Sequence, residues 1–124
     1  MSHIPDLDAL LITALGWFAP LQHRIHVDWV DLNEVDPVIF HEHKDWACCI
    51  GKRDGVFIGI HPCLKRAPQY VLLYLIGHEL LHLAIPPHNG MHHSPAFYVA
   101  ERLLPKYAKA CHWLGENTHP GPKC

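Results

Sequence analysis

The sequence predicts an α+β domain on three observations. These are an amphipathic stretch near the N-terminus, apolar runs of strand length joined by an Asp-Gly turn, and a long apolar helix followed by a second helix start. From Leu7 to Trp17, the residues Leu7, Leu10, Leu11, Ala14, Leu15 and Phe18 recur at spacings of three and four. That is a helix with one buried stripe, closed by Gly16 and Pro20. Arg24 to Asp31 alternates, with Ile25, Val27 and Trp29 on one side and His26 and Asp28 on the other, as a half-buried strand does. A loop through Asn33 and Pro37 follows. Trp46 to Gly51 and Val56 to His61 flank Lys52-Arg53-Asp54-Gly55, where Asp-Gly favours the positive-φ positions of a tight hairpin. The three runs are expected to make a small antiparallel sheet.

Beyond Pro62, with Pro68 suited to a first helical turn, Gln69 to Ile85 reads as a long and almost wholly apolar helix that must be central. Pro86 and Pro87 stop it. Ser94-Pro95 starts another, serine as cap and proline at the first position. This one runs through Phe97, Leu103 and Leu104 toward Pro105. Residues 1–114 are therefore expected to form one domain. Gly115 to Cys124, with glycine and proline and no periodicity, is expected to be a flexible tail.

With 124 residues the chain fits a single core, so any active site must be built from few elements. Hydrophobic residues at 49% and charged residues at 18% exclude a largely disordered chain. A net charge of −2 gives no strong electrostatic pull toward nucleic acid or an anionic membrane. No segment approaches the roughly 20 apolar residues of a membrane span. Asp6 and Asp8 stand where a signal peptide would carry positive charge. The five cysteines, Cys48, Cys49, Cys63, Cys111 and Cys124, have neither C-x-x-C spacing nor an even count. They suggest no disulfide framework and point to a reducing cytoplasm. Cys48-Cys49 is read as core.

Histidine is the outlier, with 13 residues, and position has to separate functional from surface ones. His41, His43, His112 and His119 fall in polar or terminal stretches and are read as surface. His78-Glu79-Leu80-Leu81-His82 is different. Residues four apart share a helix face, so His78 and His82 can both reach one Zn²⁺ at about 2.0–2.1 Å, while Glu79, one step round, is placed to act on a water. Three titratable groups in a helix apolar on all sides would cost several kcal/mol unless paired, hydrogen-bonded or bound to metal. Ordinary core histidines are the weaker reading. Catalytic zinc takes three protein ligands, and the candidates for the third are His88, His92, His93 and Glu101. His88 has metzincin spacing, but Ile85 stands where that pattern needs glycine. Glu101 suits a glutamate supplied by the next helix. His92 and His93 precede an ordered helix start.

Gly77-His78-Glu79-Leu80-Leu81-His82-Leu83, a short loop, and His93-Ser94-Pro95-Ala96-Phe97 resemble the SprT-like and YgjP-like zinc hydrolases, or minigluzincins. Ile58 to Leu64 and Ala67-Pro68 resemble the strand and connection before their active helix. The likeness covers about residues 56 to 105 and, more loosely, the sheet before them. It departs in the longer loop between His82 and His93, which contains His88. The resemblance implies a minigluzincin-like zincin domain: N-terminal helix, three-stranded antiparallel sheet, active helix and supporting helix. It implies His93 as the third ligand and Zn²⁺ as the cofactor. The activity it implies is a metallopeptidase with Glu79 as general base toward a peptide or protein substrate.

Tyr74 and Tyr98 are candidates to steady the oxyanion. Val56 to Ile60 is the candidate edge for an added substrate strand, with an interior strand as its alternative. SprT-like relatives cut proteins attached to DNA, yet this chain has neither a basic flank nor a zinc ribbon. The competing functions are a small-molecule metallohydrolase using the same centre and a zinc-stabilised interaction domain without catalysis.

Overall fold

The computed structural model describes residues 4–21, 24–30, 46–52, 55–85, 90–91 and 93–117. Helix α1 (Leu7–Leu15) is followed by strands β1 (Ile25–Trp29), β2 (Ala47–Lys52) and β3 (Gly55–Ile60), then a 3₁₀ segment (Pro62–Arg66). Helices α2 (Gln69–Ala84), α3 (Pro95–Glu101) and α4 (Tyr107–Asn117) complete the order. The α+β class expected from sequence is the one observed.

Local chemistry accounts for the helix starts. The Asp6 carboxylate accepts the amides of Asp8 and Ala9 at 3.1 and 3.2 Å, capping α1, and the Ser94 hydroxyl accepts the Phe97 amide at 3.2 Å, capping α3. Pro95 occupies the first turn of α3. At α1 the buried Leu7, Leu10, Leu11 and Ala14 form the expected stripe.

The sheet order is β1-β3-β2, with β2 antiparallel and β1 parallel to β3. The expectation of an antiparallel sheet is thus corrected: the sheet is mixed. Only the tight β2–β3 connection dictates direction. The stretch from 30 to 46 is long enough for the chain to cross over, so β1 can pair parallel. β3 is also the middle strand, so Val56 to Ile60 is interior and is not the exposed edge proposed for substrate.

The register puts Val27 opposite Ile58 and Ala47 opposite Ile60, a fully buried face. Gly55, at φ +152, pairs so closely with β1 that a Cβ would lie 2.4 Å from the Arg24 carbonyl oxygen.

Helix α2 is buried on nearly every side and packs against α1, α3, α4, β2 and β3. Gly77 allows a close approach on this helix, since a Cβ there would sit 3.0 Å from the Trp17 indole and 3.3 Å from Leu104. The helix expected to run from Ser94 toward Pro105 ends at Glu101. Lys106 then takes a left-handed φ of 57 before α4 begins. Helix α4 carries order to Asn117, into the segment expected to be a tail; the remainder of that segment lies outside the described residues.

Cys48 is buried and Cys49 half-buried, as core positions should be, and both are free thiols like Cys111. Cys63 is disulfide-bonded, which the cysteine pattern gave no reason to expect. Among the described residues, no helix is long and apolar enough to cross a membrane. His112 is exposed beside Glu116 at 3.1 Å. His41, His43 and His119 lie outside the described residues.

Candidate metal centre

Helix α2 projects His78 and His82 from one face, and the residue just before the α3 cap supplies His93. The three imidazole centroids form a near-equilateral triangle with sides of 5.0, 5.1 and 5.1 Å. One ligand atom from each ring lies within 4.8 Å of the others, so these three residues can hold a metal ion. The donor set, three imidazole nitrogens, would suit a zinc ion, which takes three protein ligands of this kind in catalytic sites.

The phenyl ring of Phe97, fully buried, lies 4.6 Å from the His82 ring, 4.8 Å from His93 and 5.0 Å from His78. It touches all three imidazoles and fixes their separation from one side. Phe97 ends the His93-Ser94-Pro95-Ala96-Phe97 run that carries the family resemblance, three residues into a capped helix, but nothing in that run indicated that its ring would pack against the imidazoles.

The rings differ in exposure. His78 is 1% exposed, whereas His82 and His93 are half-buried, which gives the cluster a closed end and an open one. Burial, reinforced by His93, pushes the His78 pKa down to about 3, so its imidazole is neutral at physiological pH and fit to ligate. The folded pKa lies below the unfolded value of about 6.5. Stability from this group is therefore complete above pH 6.5 and lost as pH falls toward 3.

For the metal-free protein we expect unfolding free energy to drop by up to about 1.4 kcal/mol per pH unit between pH 6.5 and 5, above most of the carboxylate range. Urea melts across that interval would check it, and a flat profile would contradict a neutral His78.

Glu79 is 3% exposed. Its charge is felt on β2: burial is the main reason that Cys49 is pushed up to about 12, and Glu79 is the next. For Cys48, pushed up to about 11, burial again leads and Glu79 adds to it. The carboxylate, on the helix step after His78, is therefore near enough to β2 for its charge to bear on both thiols.

Glu101 closes α3 and is buried. Its Oε2 contacts His78 Nδ1 and accepts the Tyr74 hydroxyl at 3.2 Å. Glu101 is thus brought to His78 but stays out of the three-residue group that can share an ion. His88 and His92 lie outside the described residues. Burial, followed by the Glu101 charge, drives the Tyr74 phenol far above its ordinary pKa, so it stays protonated and able to donate to Glu101. Tyr98 is 47% exposed with its ring 5.8 Å from that of His93, and is the better placed of the two tyrosines to meet a ligand.

Comparison with known proteins agrees with this geometry. Residues 36–117, well over half of the chain, match the family described as YgjP-like, metallopeptidase domain. No curated protein and no solved structure matches the chain. The match spans β2, β3, all three imidazoles and both helices that present them. The chain belongs to the YgjP-like metallopeptidase-domain family.

Proposed function

We propose that this protein is a zinc-dependent peptidase of the H-E-x-x-H type, with His78, His82 and His93 as ligands and Glu79 as general base. The observation that carries this reading is the convergence of three imidazoles within 4.8 Å, with a buried glutamate directly after the first of them in sequence. His93 is preferred to Glu101 because Glu101 is engaged with the Nδ1 side of His78. When bound, zinc supplies a Lewis acid that polarises the scissile carbonyl and lowers the pKa of water.

Glu79 accepts the proton of the attacking water and returns it to the leaving amine. Its burial, at 3% exposure, shields it from bulk solvent. A purely structural zinc site has no use for such a carboxylate.

Among the described residues β2 ends the sheet on the side of β3 away from β1, and it packs against α2. We place an extended peptide substrate along this strand, with main-chain hydrogen bonds as the common recognition element. Free thiols at Cys48, Cys49 and Cys111 suit the cytoplasm as the setting, and the Cys63 bond makes redox state a variable to control. Nothing in the net charge of −2 favours DNA as a partner.

The test measures metal content and casein or peptide cleavage on the full chain, before and after chelation and after zinc is restored. We expect about one zinc per chain, cleavage abolished by chelation and recovered with zinc. His93→Ala is expected to lose the bound zinc. Cleavage that survives complete zinc removal would refute the mechanism, and full zinc occupancy in His93→Ala would refute the ligand set.

A further inference from the structure

We propose that Glu101, held by Tyr74, is a positioning residue that fixes the proton of His78 on Nδ1 and thereby turns Nε2 toward the metal. The inference rests on the zinc reading above and assigns Glu101 a role other than that of ligand. A neutral imidazole carries one N–H, and the atom left without a proton is the one that can donate a lone pair to a cation. His78 Nδ1 contacts Glu101 Oε2, an acceptor when ionised, so the proton belongs on Nδ1 and the lone pair on Nε2.

Three features of the fold make this contact persistent. Both partners are buried, His78 at 1% and Glu101 at 6% exposure, so water competes poorly for the hydrogen bond. The same Oε2 also accepts the Tyr74 hydroxyl at 3.2 Å, one turn before His78 on α2. Glu101 is also tied to the ligand set by the chain itself. Helix α3 starts immediately after His93 and Ser94 and ends at Glu101, spanning about 10 Å at about 1.5 Å per residue. One short helix thus brings His93 to 5.1 Å from the His78 ring and closes on its Nδ1 with Glu101. A shift of α3 would disturb both contacts together. Tyr74 is itself braced by the ring of Tyr107 on α4, edge-on at 5.8 Å.

The sequence put Glu101 in the right neighbourhood, and only the identity of the contacted ring nitrogen separates the two roles. A carboxylate on the far nitrogen orients the ring and raises its basicity, and losing such a partner costs about 10–100-fold in metal affinity.

The experiment compares wild type with Glu101→Leu, Glu101→Gln and Tyr74→Phe. Zinc affinity is read by competition with a chelator of known strength, with circular dichroism as the check on folding. The His78 tautomer is read in the metal-free protein from ¹⁵N imidazole NMR. We expect the His78 proton on Nδ1 in wild type, a zinc affinity about 10–100-fold weaker in Glu101→Leu, and a loss under about tenfold in Glu101→Gln, whose amide oxygen can still accept that proton. Tyr74→Phe should fall between wild type and Glu101→Leu.

A wild-type proton on Nε2, or a folded Glu101→Leu that binds zinc as tightly as wild type, would overturn the proposal. Loss of zinc in Glu101→Gln as complete as in His93→Ala would make Glu101 a ligand and overturn it equally. If Glu101→Leu does not fold, the wild-type tautomer together with Glu101→Gln decides. Failure of wild type to bind zinc would instead defeat the peptidase reading, while the tautomer would still decide what Glu101 does to His78.

Discussion

Glu79→Gln is expected to retain zinc and to lose about 10²- to 10⁴-fold in kcat/KM, the range supplied by a positioned general base, or roughly 3–5.5 kcal/mol of barrier. Glutamine has the same shape and lies outside the imidazole group that can hold the ion, so metal content should not change. The variant carries an internal control. Glu79 contributes to holding the Cys48 and Cys49 thiols up, so in the variant both should titrate somewhat lower, while burial, the larger cause, keeps them well above an ordinary thiol. Parallel measurement of zinc content, peptide turnover and thiol alkylation against pH separates the outcomes. Undiminished turnover at full zinc occupancy would remove Glu79 from the chemistry.

The ligand face was legible before any coordinates because its rule is local. A spacing of four on a helix fixes which residues share a face, so His78 and His82 follow from periodicity, while the Ser94-Pro95 helix start left His93 among four candidates and the family resemblance singled it out. The mixed sheet was not legible, since alternation along β1 is the same for either pairing direction and the partner lies across a long connection. Helix α4 was missed for a different reason. Pro105 and the left-handed Lys106 break the pattern, and the new helix buries only Ala110 and Leu114, too few to announce a periodicity. Glu101 was legible as one of four candidates for the third ligand, and its contact with His78 Nδ1 was not, because that contact depends on how α3 packs against α2. A ligand and a positioning carboxylate occupy the same sequence neighbourhood and differ in which nitrogen of His78 they approach.

Phe97 has the largest expected effect on stability, and the reason lies in what its ring supports. Phe97→Ala should destabilise the metal-free protein by about 3–5 kcal/mol, the range for emptying a fully buried phenyl site. The ring also has three imidazole neighbours, His82 nearly stacked on it and His78 close to perpendicular, so the loss should lie toward the upper end. Working without metal matters, since zinc binds only the folded site and would mask part of the change. Once the phenyl floor is gone, the imidazoles at 4.6 to 5.0 Å from it have a void to relax into. Zinc affinity should therefore fall along with stability. Phe97→Leu refills most of the volume without the flat aromatic face, so it should recover much of the stability and less of the affinity. Urea unfolding in chelator, paired with zinc competition, measures both quantities on the same variants. A Phe97→Ala protein within about 1 kcal/mol of wild type would mean that the phenyl is not the support that these ring distances describe.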